Sequence, residues 1–128
     1  MKKLICAAIM GTALLLAGCS EPDHSLEVTA TAYTSSPGET DSTATLAAWG
    51  DTLKPGMKSI AVSRDLIKMG LKHNTEVTID GLSGTYVVLD KMNKRWTKKI
   101  DIYMGLDKKA AKEWGKKKVV IHWDNQEK

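Results

Sequence analysis

Two aspartates stand where a carboxyl group can do chemistry. Asp90 ends the apolar run Tyr86-Val87-Val88-Leu89, and Asp101 sits between Ile100 and Ile102. Side chains alternate sides along a strand. Strict alternation puts Tyr86, Val88 and Asp90 on one face and Val87 and Leu89 on the other. It also puts Asp101 with Tyr103, opposite Ile100 and Ile102. A carboxyl among apolar side chains is partly desolvated, which raises its pKa. A raised pKa lets a general acid keep its proton near neutral pH. The same placement also suits a turn former or an ion-pair partner. Close cations would act the other way and lower the pKa.

Lys91 to Lys99 joins the two aspartates and carries five cations, Asn93 and Trp96. Trp96 can stack on a sugar face. Asn93 and Arg95 can meet polar and anionic groups of a substrate, and Tyr103 shares the face of Asp101. Ser63 is expected to cap a helix from Arg64, and it joins Trp96, Asn93, Arg95 and Tyr103 as a candidate substrate-binding residue. No histidine stands in a motif with Ser63, so it does not read as a nucleophile. His24 and His73 are expected to face solvent, and His122 to share a face with Val120. Three scattered histidines make no metal-ligand cluster, so no metal and no cofactor is expected. Trp49 is expected to pack on the core, with stacking on a sugar as its second reading, and Asp41 and Asp51 to solvate loops.

Six short strands must hold these residues. Glu27–Tyr33, Ser59–Ser63, Thr75–Asp80, Thr85–Asp90, Lys99–Met104 and Lys118–Trp123 are rich in β-branched and alternating residues. Arg64–Met69 suits a short helix stopped by Gly70. Asp107 is a candidate N-cap for a helix over Lys108–Trp114, with Gly115 as its stop. Thr34–Thr45 reads as a loop, with Pro37-Gly38 as a turn. This pattern predicts a mainly β fold, a compact six-stranded barrel with one or two short helices.

The N-terminus is a targeting segment. Lys2 and Lys3 precede fourteen apolar residues, Leu4 to Ala17. That run is too short to span a bilayer core, which takes about 20 helical residues, and fits a signal peptide. Leu16-Ala17-Gly18-Cys19 resembles a bacterial lipobox, which implies cleavage after residue 18 and lipidation of Cys19. The expected organisation is therefore a signal at 1–18, a lipidated tether at 19–26, a domain at 27–123 and a polar tail at 124–128. Ser20 points toward the outer membrane, facing the periplasm. Cys6 leaves with the signal and Cys19 is acylated, so no thiol remains for a disulfide or zinc site.

Charge narrows the partners. Without Lys2 and Lys3, 17 basic residues face 15 acidic ones, too even a balance for a dedicated nucleic-acid binder. Residues 65–128 hold 14 basic and 9 acidic residues, while 19–64 hold 3 and 6. A basic half outside the cytoplasm suits an anionic wall polymer.

The order IAVSRDLIKMGL, TEVTIDGLSGTYVVLD, KKIDIYM and KAAKEWGKKKVVIHW resembles the three-aspartate domain. That domain forms the double-psi β-barrel of membrane-bound lytic transglycosylase A. More distantly, the sequence is similar to rare lipoprotein A and expansins. The resemblance spans Val28 to Trp123. It places the family's second and third aspartates on Asp90 and Asp101, and its first on Ser63, with Asp65 two residues on. It implies cleavage between N-acetylmuramic acid and N-acetylglucosamine in peptidoglycan. One acid, Asp90, would protonate the leaving oxygen. As a base it would then help close a 1,6-anhydro ring, with Asp101 orienting it or stabilising charge. The alternative is a wall-binding lipoprotein without catalysis.

Overall fold

The structure is a computed structural model that describes residues 21–35 and 46–125. The expected signal peptide, Cys19, Pro37-Gly38, Asp41 and the last three residues of the tail lie outside them. The elements are β1 (His24–Tyr33), β2 (Ser59–Val62), α1 (Arg64–Lys68), β3 (Glu76–Ile79), β4 (Tyr86–Lys91), β5 (Lys99–Tyr103), α2 (Lys108–Trp114) and β6 (Lys117–Trp123).

The strands close on themselves in the order β1-β5-β2-β4-β3-β6. β1 runs parallel to β5 and β2 parallel to β4, and the other four pairings are antiparallel. This is the expected double-psi β-barrel. Closure removes the free edges that a six-stranded sheet would otherwise expose.

Alternation sorts the two sides of the wall. Val28, Ala30, Ile60, Val62, Val77, Ile79, Val88, Ile100, Ile102 and Ile121 point inward and form one buried cluster. Their β-branched shapes suit a pleated surface packed on one side. A second cluster lies outside the barrel. Ala47, Leu53, Leu89 and Tyr103 are buried there, with Tyr33, Met57 and Val87 against them. Residues 46–57 thus form a covering strap. Gly105 fits under it at φ +62, where a Cβ would stand 3.1 Å from Pro55 Cα.

Alternation fails once, in β4. Ile60 pairs with Val88, but the next residue of β2, Ala61, pairs with Asp90. Leu89 is an extra residue, a bulge of a kind uncommon between parallel strands. Asp90 therefore does not share the inward face of Val88, as strict alternation required. It lies opposite Ala61, on the outside.

The helices follow their signals. Asp107 Oδ1 accepts from Ala110 N–H at 2.9 Å, and Gly115 ends α2 at φ 67. Trp114 Nε1 donates to the Ala30 carbonyl at 3.2 Å, pinning α2 to β1. Ser63 occupies the N-cap position of α1 but makes no side-chain cap bond.

Strand pairing and hydrogen bonds extend past the expected domain bounds at both ends. β1 begins at His24, inside the stretch read as a tether, and His24 pairs with Trp123. Asp124 and Asn125, read as tail, bond back to Asp23 and His24. Ile100, fully buried on β5, is a suitable test of the inner core. Ile100→Ala is expected to cost about 2–5 kcal/mol in urea unfolding, without changing the strand signature in circular dichroism.

Candidate functional site

Four strands bring the two aspartates onto one outward row. Thr31 on β1 pairs with Asp101 on β5, Asp101 with Ala61 on β2, and Ala61 with Asp90 on β4. Residues paired in register point to the same face. Two strand spacings of about 4.8 Å put the aspartate backbones roughly 10 Å apart. Ala61, buried and small, is the strand partner of both. The row, with an acid on each side of that small side chain, is the candidate groove.

Each acid is held differently. Asp90 Oδ1 accepts two backbone N–H bonds, from Ala48 at 2.7 Å and Lys91 at 2.9 Å. The Ala48 donor comes from the strap at 46–57. Asp101 Oδ1 accepts from the Thr31 hydroxyl at 3.0 Å. Burial pushes the Asp101 carboxyl above the usual aspartate range. The Thr31 bond and the Lys99 charge pull it down, and the Asp90 charge pushes it further up. Burial outweighs the nearby cation, which decides a balance that the sequence left open. Lys99 itself lies over the Trp96 ring, its ammonium 3.6 Å from the centroid.

Tyr33 completes the groove. It is two residues beyond Thr31 and pairs with Tyr103, their rings tilted 5.5 Å apart. Its hydroxyl is buried and has no hydrogen-bond partner. Burial, then Asp90, Asp101 and Tyr103, hold this phenol far above its ordinary pKa. It is a neutral donor beside two carboxyls, with its proton uncommitted.

The candidate substrate residues separate into two groups. Trp96, Asn93 and Arg95 lie in the loop beside β5, and Arg95 and Lys99 both carry their charges over the Trp96 ring. Asn93 Oδ1 accepts from Arg95 N–H at 3.0 Å, a local turn. Tyr103 and Ser63 are not open to a substrate. Tyr103 is 3% exposed and its hydroxyl bonds Ser35 at 2.8 Å, so it supports Tyr33 from beneath. Ser63 is fully buried, and its hydroxyl accepts from Lys99 N–H at 3.0 Å. It positions the start of β5. Asp65, two residues on, accepts from Lys98 N–H at 2.9 Å and holds the end of the same loop. Burial raises the Asp65 pKa, but bonds with Ser63 and Lys98 outweigh it and leave the carboxyl below its usual value.

Three further expectations are corrected. His73 stacks on Trp49 with centroids 4.9 Å apart and bonds Asp51, so neither His73 nor Asp51 simply faces water. His24 stacks on Trp123 at 5.1 Å. Trp49 does pack on the inner core, and it also lies beneath Lys91, whose ammonium is 5.5 Å from its centroid. Among the described residues no three His, Cys, Asp or Glu side chains gather as metal ligands.

Thr31, Tyr33, Ala61 and the Ala48 N–H belong to the groove, and sequence reasoning passed over them. The alternating run Thr29-Ala30-Thr31-Ala32-Tyr33 did place Thr31 and Tyr33 on one face. What it lacked was the register between strands.

No protein-family model matches the chain, and no curated protein does. Among solved structures, the chain resembles an apo expansin of Clavibacter michiganensis. The TM-score is 0.54 at 16% identity, over 82% of this chain and 52% of that one. The chain thus spans about half the length of that structure. At this identity the likeness is one of fold, the closed barrel described above.

Two substitutions test the groove. The Asp101 pKa is raised on folding, so the folded state binds more protons than the unfolded one above the ordinary carboxyl value near 4. Stability contributed by this group is therefore full below that value and is lost as pH rises through the folded pKa. Asp101→Asn is expected to remove that fall, making the protein more stable than the unaltered chain at neutral pH but not at pH 3. Thermal unfolding across pH 3–8 measures it, and an identical pH dependence in both proteins would contradict the raised pKa. Tyr33→Phe removes a buried, unpaired hydroxyl. Its stability is expected to be unchanged or about 1 kcal/mol higher by urea unfolding.

Proposed function

We propose that this is a cell-envelope lipoprotein that acts on peptidoglycan, cleaving the bond between N-acetylmuramic acid and N-acetylglucosamine. The observation that carries this reading is the Asp101 carboxyl. It is raised by burial, bonded to Thr31 and set across Ala61 from Asp90. A raised acid can hold its proton until a glycosidic oxygen needs it. The resemblance to the three-aspartate domain supplies the substrate class, and the barrel shared with an expansin agrees with a wall polysaccharide.

The geometry favours Asp101, rather than Asp90, as the proton donor. Asp90 is fastened by two backbone N–H groups and stands as the second charge. In the proposed reaction Asp101 protonates the leaving oxygen. As a carboxylate it then takes the proton from the muramoyl C6 hydroxyl, which closes a 1,6-anhydro ring. No water attacks, so one acid suffices where an ordinary glycosidase uses two. The buried Tyr33 hydroxyl would donate to a substrate oxygen only after its cover shifts, and Trp96 offers a stacking face once Lys99 swings aside. The basic later half of the chain attracts the anionic polymer. Lipidation of Cys19 would hold the domain at the membrane, on the periplasmic side.

A second reading, binding without cleavage, is favoured by one observation. Ser63, where the resemblance implies a first aspartate, is buried away from the groove. Digestion of purified peptidoglycan sacculi separates the two. The enzyme reading expects 1,6-anhydro muropeptides by mass spectrometry, lost in Asp101→Asn and reduced in Asp90→Asn. Co-sedimentation with sacculi without any product leaves binding alone. A protein that neither cuts nor sediments with sacculi sinks both readings.

A further inference from the structure

The acid row uses β1, β5, β2 and β4. The remaining wall, β6 and β3 with the first half of β1, carries a different constellation. Ser25 on β1 pairs with His122 on β6, and His122 pairs with Thr78 on β3, two residues before Asp80. Ser25 Oγ lies 2.7 Å from His122 Nδ1, and His122 Nε2 lies 2.9 Å from Asp80 Oδ1.

The proton positions follow from the partners. A carboxylate can only accept, so Nε2 carries the hydrogen and donates it to Asp80. The Nδ1 lone pair then faces the Ser25 hydroxyl. This is a nucleophile, a base and a group that orients the base, in hydrogen-bonding reach of one another. Burial does not demand the arrangement. Ser25 is exposed and the Asp80 side chain is 62% exposed, so water would satisfy both. The imidazole is the sheltered member, at 26%.

His122 also lines a cleft of about 650 Å³, within the range of ligand sites. Asn74, Glu76, Thr78, Asp124 and Asn125 share its walls with the edge of Trp123. Amides, hydroxyls and carboxylates in this mixture suit the hydroxyl groups of a sugar. Asn125 has its carbonyl oxygen engaged by His24 at 2.6 Å, which leaves its amide nitrogen to donate.

We propose that Ser25 and His122, positioned by Asp80, form a second catalytic site that hydrolyses carboxylic esters carried on a sugar or a similar polyol. Ser25 Oγ adds to the ester carbonyl carbon as its proton passes to His122 Nδ1. The carbonyl oxygen takes the negative charge. The intermediate collapses, the bond to the alcohol oxygen breaks, and His122 returns the proton to that oxygen. The alcohol leaves and an acyl-Ser25 remains. Water then attacks the acyl carbon, giving its proton to Nδ1. Ser25 Oγ departs with that proton and the carboxylic acid is released. Asp80 accepts from Nε2 throughout and steadies the imidazolium.

The test uses the full-length protein purified in detergent. A fluorophosphonate probe is expected to add to Ser25, located by peptide mapping. Hydrolysis of 4-nitrophenyl acetate and of glucose pentaacetate is expected to fall at least about 100-fold in Ser25→Ala. Ser83→Ala, in an exposed turn, should retain the full rate. Asp80→Asn should slow probe labelling and lower kcat, with partial recovery in Asp80→Glu, which a purely structural bond would not produce. An unlabelled Ser25 in the unaltered protein overturns the site, whatever the variants do. So does a folded Ser25→Ala that hydrolyses at the original rate. Turnover of 4-nitrophenyl acetate without glucose pentaacetate overturns the polyol assignment.

Discussion

One extra residue in β4 decides where the acid chemistry can occur. Leu89 shifts the register against β2 by a single position, and that shift moves Asp90 from the packed interior to the outer wall. Without it, a carboxyl would follow Val88 inward among Ile60, Val62 and Ile100, where an unpaired charge costs several kcal/mol. The displaced Leu89 side chain is not wasted. It packs with Tyr103 and Leu53 under the strap at 46–57, and the same strap presents the Ala48 N–H to Asp90. Bulge, strap and carboxylate form one cooperative unit.

The groove depends on contrast between neighbours. Ala61, the smallest side chain in its row, is the strand partner of both acids. Asp101 is sheltered enough for burial to outweigh Lys99, whose charge rests instead on the Trp96 ring. The Tyr33 hydroxyl is buried with no partner, an unfavourable state for the empty protein. An oxygen that reached it would relieve that cost.

Much of this was legible from residue order. The strands lie within a few residues of where alternation put them, and both helices start at Arg64 and Lys108 as expected. Asp107 and Gly115 worked because capping is local chemistry. What was not legible was set by contacts between distant strands. Asp90 was assigned to the wrong face because a bulge leaves no mark in one strand's pattern. Tyr103 and Ser63 looked available because polarity was taken for exposure, whereas Ser35 and Lys99, 68 and 36 residues away, claim their hydroxyls. His24 and Asn125 looked like loose ends, since nothing local shows that residues 23–25 bond to residues 122–125. The Ser25–His122–Asp80 relay draws on two strands and the turn after a third, and no spacing in the sequence joins them.

That zipped seam gives β1 a mechanical role. His24 begins the strand at the seam, and Thr31 lies seven residues along it, roughly 23 Å at the rise of an extended strand. A chain anchored through Cys19 would reach His24 over at most about 17 Å. The esterolytic relay at Ser25 would then ride close to the bilayer, while the acid groove stands off from it at the strand's far end. β1 would act as a rigid outrigger, presenting one chemistry toward the lipid surface and the other toward the polymer mesh beyond.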